Sequence, residues 1–291
     1  MKNKQQLIIF GEVLFDCFPG GEQVLGGAPF NVAWHLQAFG DHPRFVSRVG
    51  DDLLGNKIIG AMTEWGMDID SIQIDSQHPT GRVDVVLIDD EPHYTITPDC
   101  AYDFIDASAM MNPQVNGILY HGTLALRNTT AKQAYEKLAS NPDVSIFLDV
   151  NLRAPWWQKD EVSNWLKRAR WVKLNQDELR QLGGNSADIQ QDMVLFQEKY
   201  DLELLIVTRG AEGAIVRSRE GGLHKVTPPE VLNFVDTVGA GDAFTAVFLH
   251  GLISEWPIDD ILNAAQQFAS AVVGLRGATS NSSEFYHAFK Q

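Results

Sequence analysis

Asp236-Thr237-Val238-Gly239-Ala240-Gly241-Asp242-Ala243-Phe244 is the stretch around which the rest of the chain is ordered. Two glycines separated by one alanine permit a tight turn and leave no side chain between the backbone and a ligand. Ala243-Phe244-Thr245-Ala246-Val247-Phe248-Leu249-His250 then reads as an apolar helix, with Gly251 as its stop signal. The first amides of a helix lack intrahelical acceptors, and the aligned peptide dipoles add partial positive charge there. Such a junction suits an anion, phosphate above all. A carboxylate inside it, Asp242, could accept a proton from an alcohol attacking a bound phosphoryl group. A plainer account also fits, because glycines punctuate many helix starts and aspartate is favoured there. These residues alone leave both open.

Composition narrows the class. A chain of 291 residues, one large domain or two smaller ones, buries roughly 75% of its unfolded surface and needs no staples. The net charge of −15, from 23 basic and 38 acidic residues, disfavours a general nucleic-acid or anionic-membrane binder. Local amides, a few cations and magnesium can still hold ATP. Cys17 and Cys100 stand far apart without metal-like spacing, so a reducing cytoplasm is expected. The apolar run at 7–10 is too short for a signal peptide, and no run approaches the ~18 residues of a membrane span.

Around the opening stretch, apolar strands alternate with helices. Strands are expected at 7–10, 45–49, 118–121, 144–150, 171–174, 204–208 and 214–216. Helices are expected from Pro29 to Phe39, near 53–65, 132–138, 177–182 and 189–200, with a last one from about 259 to 275. Continuous apolar strands between helices predict a mostly parallel sheet covered on both faces. The pattern changes between Thr80 and Ile105. There, 82–88 and 93–97 alternate polar with apolar around Asp89-Asp90-Glu91-Pro92, which reads as a hairpin with one solvated face. With the extended segment from Glu12 to Leu25, it is expected to form a separate small sheet, an inserted lid.

The stretch at 236–244 resembles the C-terminal signature of the ribokinase-like carbohydrate kinases, also called the phosphofructokinase-B family. The resemblance implies that Asp242 is the catalytic base and that Gly239, Ala240 and Gly241 form the anion hole. Other stations match the same family in order. Gly26-Gly27-Ala28-Pro29-Phe30-Asn31 resembles the N-terminal signature. There the glycines let a sugar approach the backbone, and the amide of Asn31 can donate to and accept from its hydroxyls. Asp16 corresponds to the family's sugar-binding aspartate. Asp149-Val150-Asn151-Leu152-Arg153 is similar to the DxNLR stretch of bacterial fructokinases, with valine where proline is common, and Arg153 could pair with phosphate or a sugar hydroxyl. Trp156 and Trp157 beyond it read as packing residues.

Asn175 and Glu178 match the family's NxxE motif, which implies a part in organising magnesium, largely through water. Lys173 is a candidate phosphate contact, although a strand-end lysine is more often solvated. Thr208, Gly210 and Gly213 resemble the TxGxxG nucleotide loop, with Ser270 near the place of the last helix's usual asparagine. Neither a Walker A sequence nor a G-x-G-x-x-G after a strand occurs. G-x-S-x-G and H-E-x-x-H are also missing, and the histidines are dispersed. The expectation is one ribokinase-like three-layer α/β/α domain over 1–291 with a mostly parallel sheet and a small β lid at about 12–25 and 80–105. It would use ATP and Mg2+, and the resemblance adds a monovalent cation, K+, beside Asp236. The DxNLR stretch favours D-fructose as the acceptor. Nucleosides, ribose and 2-keto-3-deoxygluconate are alternatives, as is a non-catalytic sugar or nucleotide sensor, which intact Asp242 counts against. A lid edge in need of cover leads us to expect a homodimer through the lids.

Overall fold

The computed structural model describes residues 5–88, 91–110, 116–184, 186–229 and 235–289. The chain opens with β1 (Gln6–Phe10), β2 (Leu14–Cys17), β3 (Gln23–Gly26), α1 (Ala28–Phe39), β4 (Arg44–Gly50), α2 (Leu53–Glu64) and β5 (Ile72–Asp75). It continues with β6 (Gly81–Ile88), β7 (Glu91–Ile96), β8 (Gly117–His121), α3 (Thr129–Ala139), β9 (Val144–Asp149), α4 (Lys159–Leu166), β10 (Trp171–Asn175) and α5 (Gln176–Leu182). The remainder is α6 (Ile189–Tyr200), β11 (Leu204–Thr208), β12 (Ala214–Ser218), β13 (Leu223–Val226), α7 (Ala240–Ile253), α8 (Ile258–Val272) and α9 (Ser283–His287).

Among the described residues, nine strands form the main sheet in the order β13-β12-β11-β10-β9-β8-β1-β4-β5. From β5 to β11 every pairing is parallel, and only β12 runs the other way, pairing antiparallel with both β11 and β13. The period of two along β1 assigns its side chains to both faces. Leu7 and Ile9 join a core with Phe30 of α1, Phe248 of α7 and Phe268 of α8. Ile8 and Phe10 join a second core with Tyr135 of α3, Leu179 of α5 and Met193 of α6. This is the expected three-layer arrangement. Because β1 lies between β4 and β8, the chain departs from it in both directions along the sheet. Such a switch point leaves a crevice at the carboxyl ends of the strands.

β3-β2-β6-β7 make the small sheet, with β2 and β6 parallel and the outer pairs antiparallel. Its alternation is as expected: Val83 and Val85 are buried, while Arg82 and Val86 face solvent. Residues 89 and 90 of the anticipated turn lie outside the described residues, and Glu91 and Pro92 belong to β7. Two further corrections concern helices. α7 begins at Ala240 and runs through Gly251 to Ile253, because that glycine is a packing position rather than a stop. α8 ends at Val272, and the short α9 follows it.

Candidate active site

The strand ends bring the chemistry together. Asp149, Asn175 and Thr208 are the last residues of β9, β10 and β11, and Glu12 stands just beyond β1. All four line one cavity of about 1050 Å³, with the small sheet contributing Asp16, Val83 and Tyr94, and the start of α7 contributing Gly239, Gly241 and Asp242. This volume is at the upper end of ordinary small-molecule sites, which span roughly 300–1,000 Å³.

Both glycine junctions depend on backbone that only glycine adopts freely. Gly27 precedes α1 at φ 108°, and a Cβ there would lie 2.8 Å from the carbonyl of Glu12. Gly239 caps α7 at φ 80°, where a Cβ would lie 2.4 Å from that of Ala278. The helix opens without a side-chain cap; the Ala240 N–H donates to the Thr237 carbonyl at 3.3 Å, and the next amides, of Gly241 and Asp242, are suited to an anion. Asp242 sits in this first turn, and its Oδ2 accepts a hydrogen bond from Asn31 Nδ2 at 2.8 Å. The two glycine-marked helices thus meet at the acid. Burial pushes the Asp242 carboxyl up to about 6, with the Asn31 bond pulling the other way and the Asp149 charge adding to the rise. Asp16 also rises to about 6 through burial, opposed by Arg153.

Beneath the turn lies a buried ionic network. Lys173 Nζ donates to both oxygens of Asp149, at 3.0 and 2.8 Å, and Thr245 Oγ1 donates to Asp149 Oδ2 at 2.9 Å. Thr245 Oγ1 is also 2.9 Å from the carbonyl of Gly241. Lys173 is thus not a solvated strand-end lysine. It is 6% exposed, and β10 sets it directly beside Asp149 in the parallel register. Asn175 and Glu178 form a capping box at the start of α5: Asn175 Oδ1 accepts from Glu178 N, and Glu178 Oε2 from Asn175 N, both at 2.8 Å. Glu178 Oε1 accepts from Leu152 N at 2.7 Å, which ties the Arg153 loop to this corner. Burial raises the Glu178 carboxyl.

Asp16, Gly26, Gly27, Asn31, Arg153, Lys173, Asn175, Glu178, Thr208, Asp236, Gly239, Gly241 and Asp242 all line the cavity. Ala240 follows Gly239 as the first residue of α7. Gly210 and Gly213 lie outside the walls and shape the turn behind Thr208, where Gly213 O accepts from Arg209 N at 2.7 Å. Ser270 is also outside them. Three contributors were not anticipated. Glu12 is 3% exposed, with Oε2 buried and unpartnered among the described residues, and burial lifts its carboxyl to about 7. Its signal was a lone charge between Phe10 and Val13 in an apolar run. Thr245 is invisible inside an apolar helix. Trp156 packs against the core as expected, together with Trp157, but it also lines the cavity.

A family model described as pfkB family carbohydrate kinase matches residues 17–284, a span that includes Asn31, Arg153, Glu178 and Asp242. The chain belongs to this family. This pfkB-family kinase is 30% identical over 290 residues to the fructokinase of Escherichia coli, covering 93% of this chain and 94% of that protein. It is 28% identical over 297 residues to a probable fructokinase-5 of Arabidopsis thaliana, covering 93% and 91%. In fold it matches a double mutant of Vibrio cholerae O395 fructokinase with fructose, ADP and potassium ion bound, at TM-score 0.84 and 23% identity over 100% of both chains. Aminoimidazole riboside kinase from Salmonella enterica, complexed with its riboside and an ATP analogue, matches at TM-score 0.83 and 23% identity over 99% of this chain and 100% of that one.

Proposed function

We propose that this carbohydrate kinase transfers the terminal phosphoryl group of ATP to a hydroxyl of D-fructose, with Asp242 as general base. The observation that carries it is the placement of Asp242 in the first turn of α7, at the wall of the cavity and bonded to Asn31. In one turn, a base lies beside amides suited to the charge that develops on the transferring group. Asp16, Asn31 and Arg153 offer the polar contacts a polyol needs, and they would be left unpaired by an acceptor lacking its hydroxyls. The curated relatives named fructokinase support fructose over other sugars.

The nucleotide side fits magnesium of the kind that keeps most of its waters. Among the described residues no cluster of three or more acidic, histidine or cysteine side chains could cage a metal, so phosphates and water would supply most ligands. Asn175 and Glu178 are the residues to hold such a hydrated ion, which would neutralise charge on the triphosphate. Asp236 would neighbour a monovalent cation, its Oδ1 already accepting from Val238 N at 3.0 Å. The small sheet would act as a lid, excluding water from the transfer and limiting wasteful ATP hydrolysis.

A riboside kinase is the second reading, favoured by the aminoimidazole riboside held by the Salmonella neighbour. An ATP-coupled assay with magnesium across fructose, ribose, adenosine, aminoimidazole riboside and 2-keto-3-deoxygluconate tests both. The largest kcat/KM is expected for fructose. A larger value for any other acceptor overturns the sugar assignment, and ATP turnover with none of them overturns the general proposal.

A further inference from the structure

Arg127 closes a short 3-10 turn, Leu124–Arg127, and only 7% of its side chain is exposed. Its Nε donates to Asp103 Oδ1 at 2.6 Å and its Nη2 to Asp103 Oδ2 at 2.7 Å, a two-pronged pair in the core. Nη2 also lies 2.7 Å from the carbonyl of Thr97 and 3.0 Å from the Tyr102 hydroxyl. Thr97 follows β7, so the arginine is fastened where the chain leaves the small sheet. The guanidinium carbon stands 4.4 Å from the centroid of the Trp156 ring. Trp156 and Leu124 both line the cavity, as does Arg153 on the same loop as Trp156. Arg127 Nη1 is buried without a partner among the described residues.

We propose that Arg127 is a positioning residue for the acceptor site, holding Trp156 as an aromatic wall against the sugar ring and tying that wall to the exit of the small sheet. This rests on the sugar acceptor assigned above. A sugar ring carries hydroxyls at its rim and apolar C–H groups on its faces. Asp16, Asn31 and Arg153 suit the rim, and an indole suits a face. Stacking under a planar guanidinium restricts the indole before the sugar arrives, so less freedom is lost on binding. Because Thr97 shares the same Nη2, movement of the small sheet is felt at the wall.

The test is a kinetic cycle with D-fructose as acceptor, using Trp156→Leu, Trp156→Phe, Arg127→Lys and the Trp156→Leu/Arg127→Lys double variant. Lysine keeps a positive charge beside Asp103 while losing the fork and the stack; alanine would leave a buried carboxylate unpaired. Trp156→Leu is expected to raise the fructose KM about tenfold, with kcat and the ATP KM within about twofold, and Trp156→Phe to restore most of the loss. Arg127→Lys should raise the fructose KM about fivefold, and the double variant should be no worse than Trp156→Leu alone, since the arginine acts through the indole. An unchanged fructose KM in Trp156→Leu, an equal rise in the ATP KM, or multiplying effects in the double variant overturn the proposal. If Arg127→Lys does not fold, the two Trp156 variants decide. Should the wild type ignore fructose but phosphorylate another acceptor, the substrate assignment falls and the cycle is read with that acceptor; phosphorylation of no sugar sinks both.

Discussion

Asp242 is pulled toward opposite protonation states by its surroundings. Burial favours the neutral acid and sets its pKa near 6, while the Asn31 N–H favours the anion that the proposed role as general base requires. A base must be unprotonated to accept the hydroxyl proton, so kcat/KM should fall as pH drops below about 6. Asn31→Ala removes a bond to the charged form and should move this limb to higher pH, a shift visible in a pH–rate profile. Asp242→Asn should retain fold and nucleotide binding, both measurable by calorimetry, and lose about 10²–10⁴ in turnover. A variant with more than about half of wild-type turnover removes Asp242 from the role. Glu12 lends itself to a stability measurement. Its folded pKa of about 7 lies above the ordinary 4.5, so the stabilisation it contributes is full below 4.5 and lost as pH rises through 7. Glu12→Gln is therefore expected to stabilise the protein at pH 8 by up to about 3 kcal/mol and by little at pH 5, compared with wild type in urea titrations. A loss at pH 8 would mean that the ionised carboxylate is compensated in place. Asp242 and Asn31 were legible one at a time from their glycine neighbours; their mutual bond, across a sequence separation of 211, was not.

Among the elements, α7 has the most exacting start. Gly239→Ala places a methyl group against Ala278 at a left-handed φ, so the opening turn must shift. The expected result is a lower melting temperature together with a loss of kcat larger than any change in sugar KM; unchanged kcat would separate the turn from catalysis. Strongly apolar strands such as β1, β8 and β11 could be read directly, since burial on both faces demands such runs. β5 and β13 could not, because Ile72–Asp75 and Leu223–Val226 are short edge strands with half-exposed, mixed side chains. Gly251 misled for a packing reason. A Cβ there would meet Ile261 Cγ1 at 2.5 Å, so the glycine lets α7 lie close on α8 instead of ending the helix. The burial of Lys173 escaped notice because its partner Asp149 is set by the pairing of β9 and β10, which no local pattern records.

For the whole molecule, layer order and the small sheet followed from the alternation of apolar runs, whereas the shape of the cavity required tertiary contact between Trp156 and Arg127. Association through the small sheet is open to direct measurement. Val86 on β6 is 47% exposed and Tyr94 on the outer strand β7 is 54% exposed. A homodimer is expected by light scattering at micromolar concentration, reduced to monomer by Val86→Lys. A wild-type monomer with and without sugar excludes the dimer. The Asn31–Asp242 bond has a consequence for biosynthesis. At roughly 5–20 residues per second, a ribosome adds Asp242 some 10–40 s after Asn31, given their separation of 211. In that interval the nascent chain carries groups proposed to face the sugar, but neither the proposed base nor the amides proposed to steady a phosphoryl group in flight. On the proposed roles, a chain still short of Asp242 would therefore collide with ATP without consuming it.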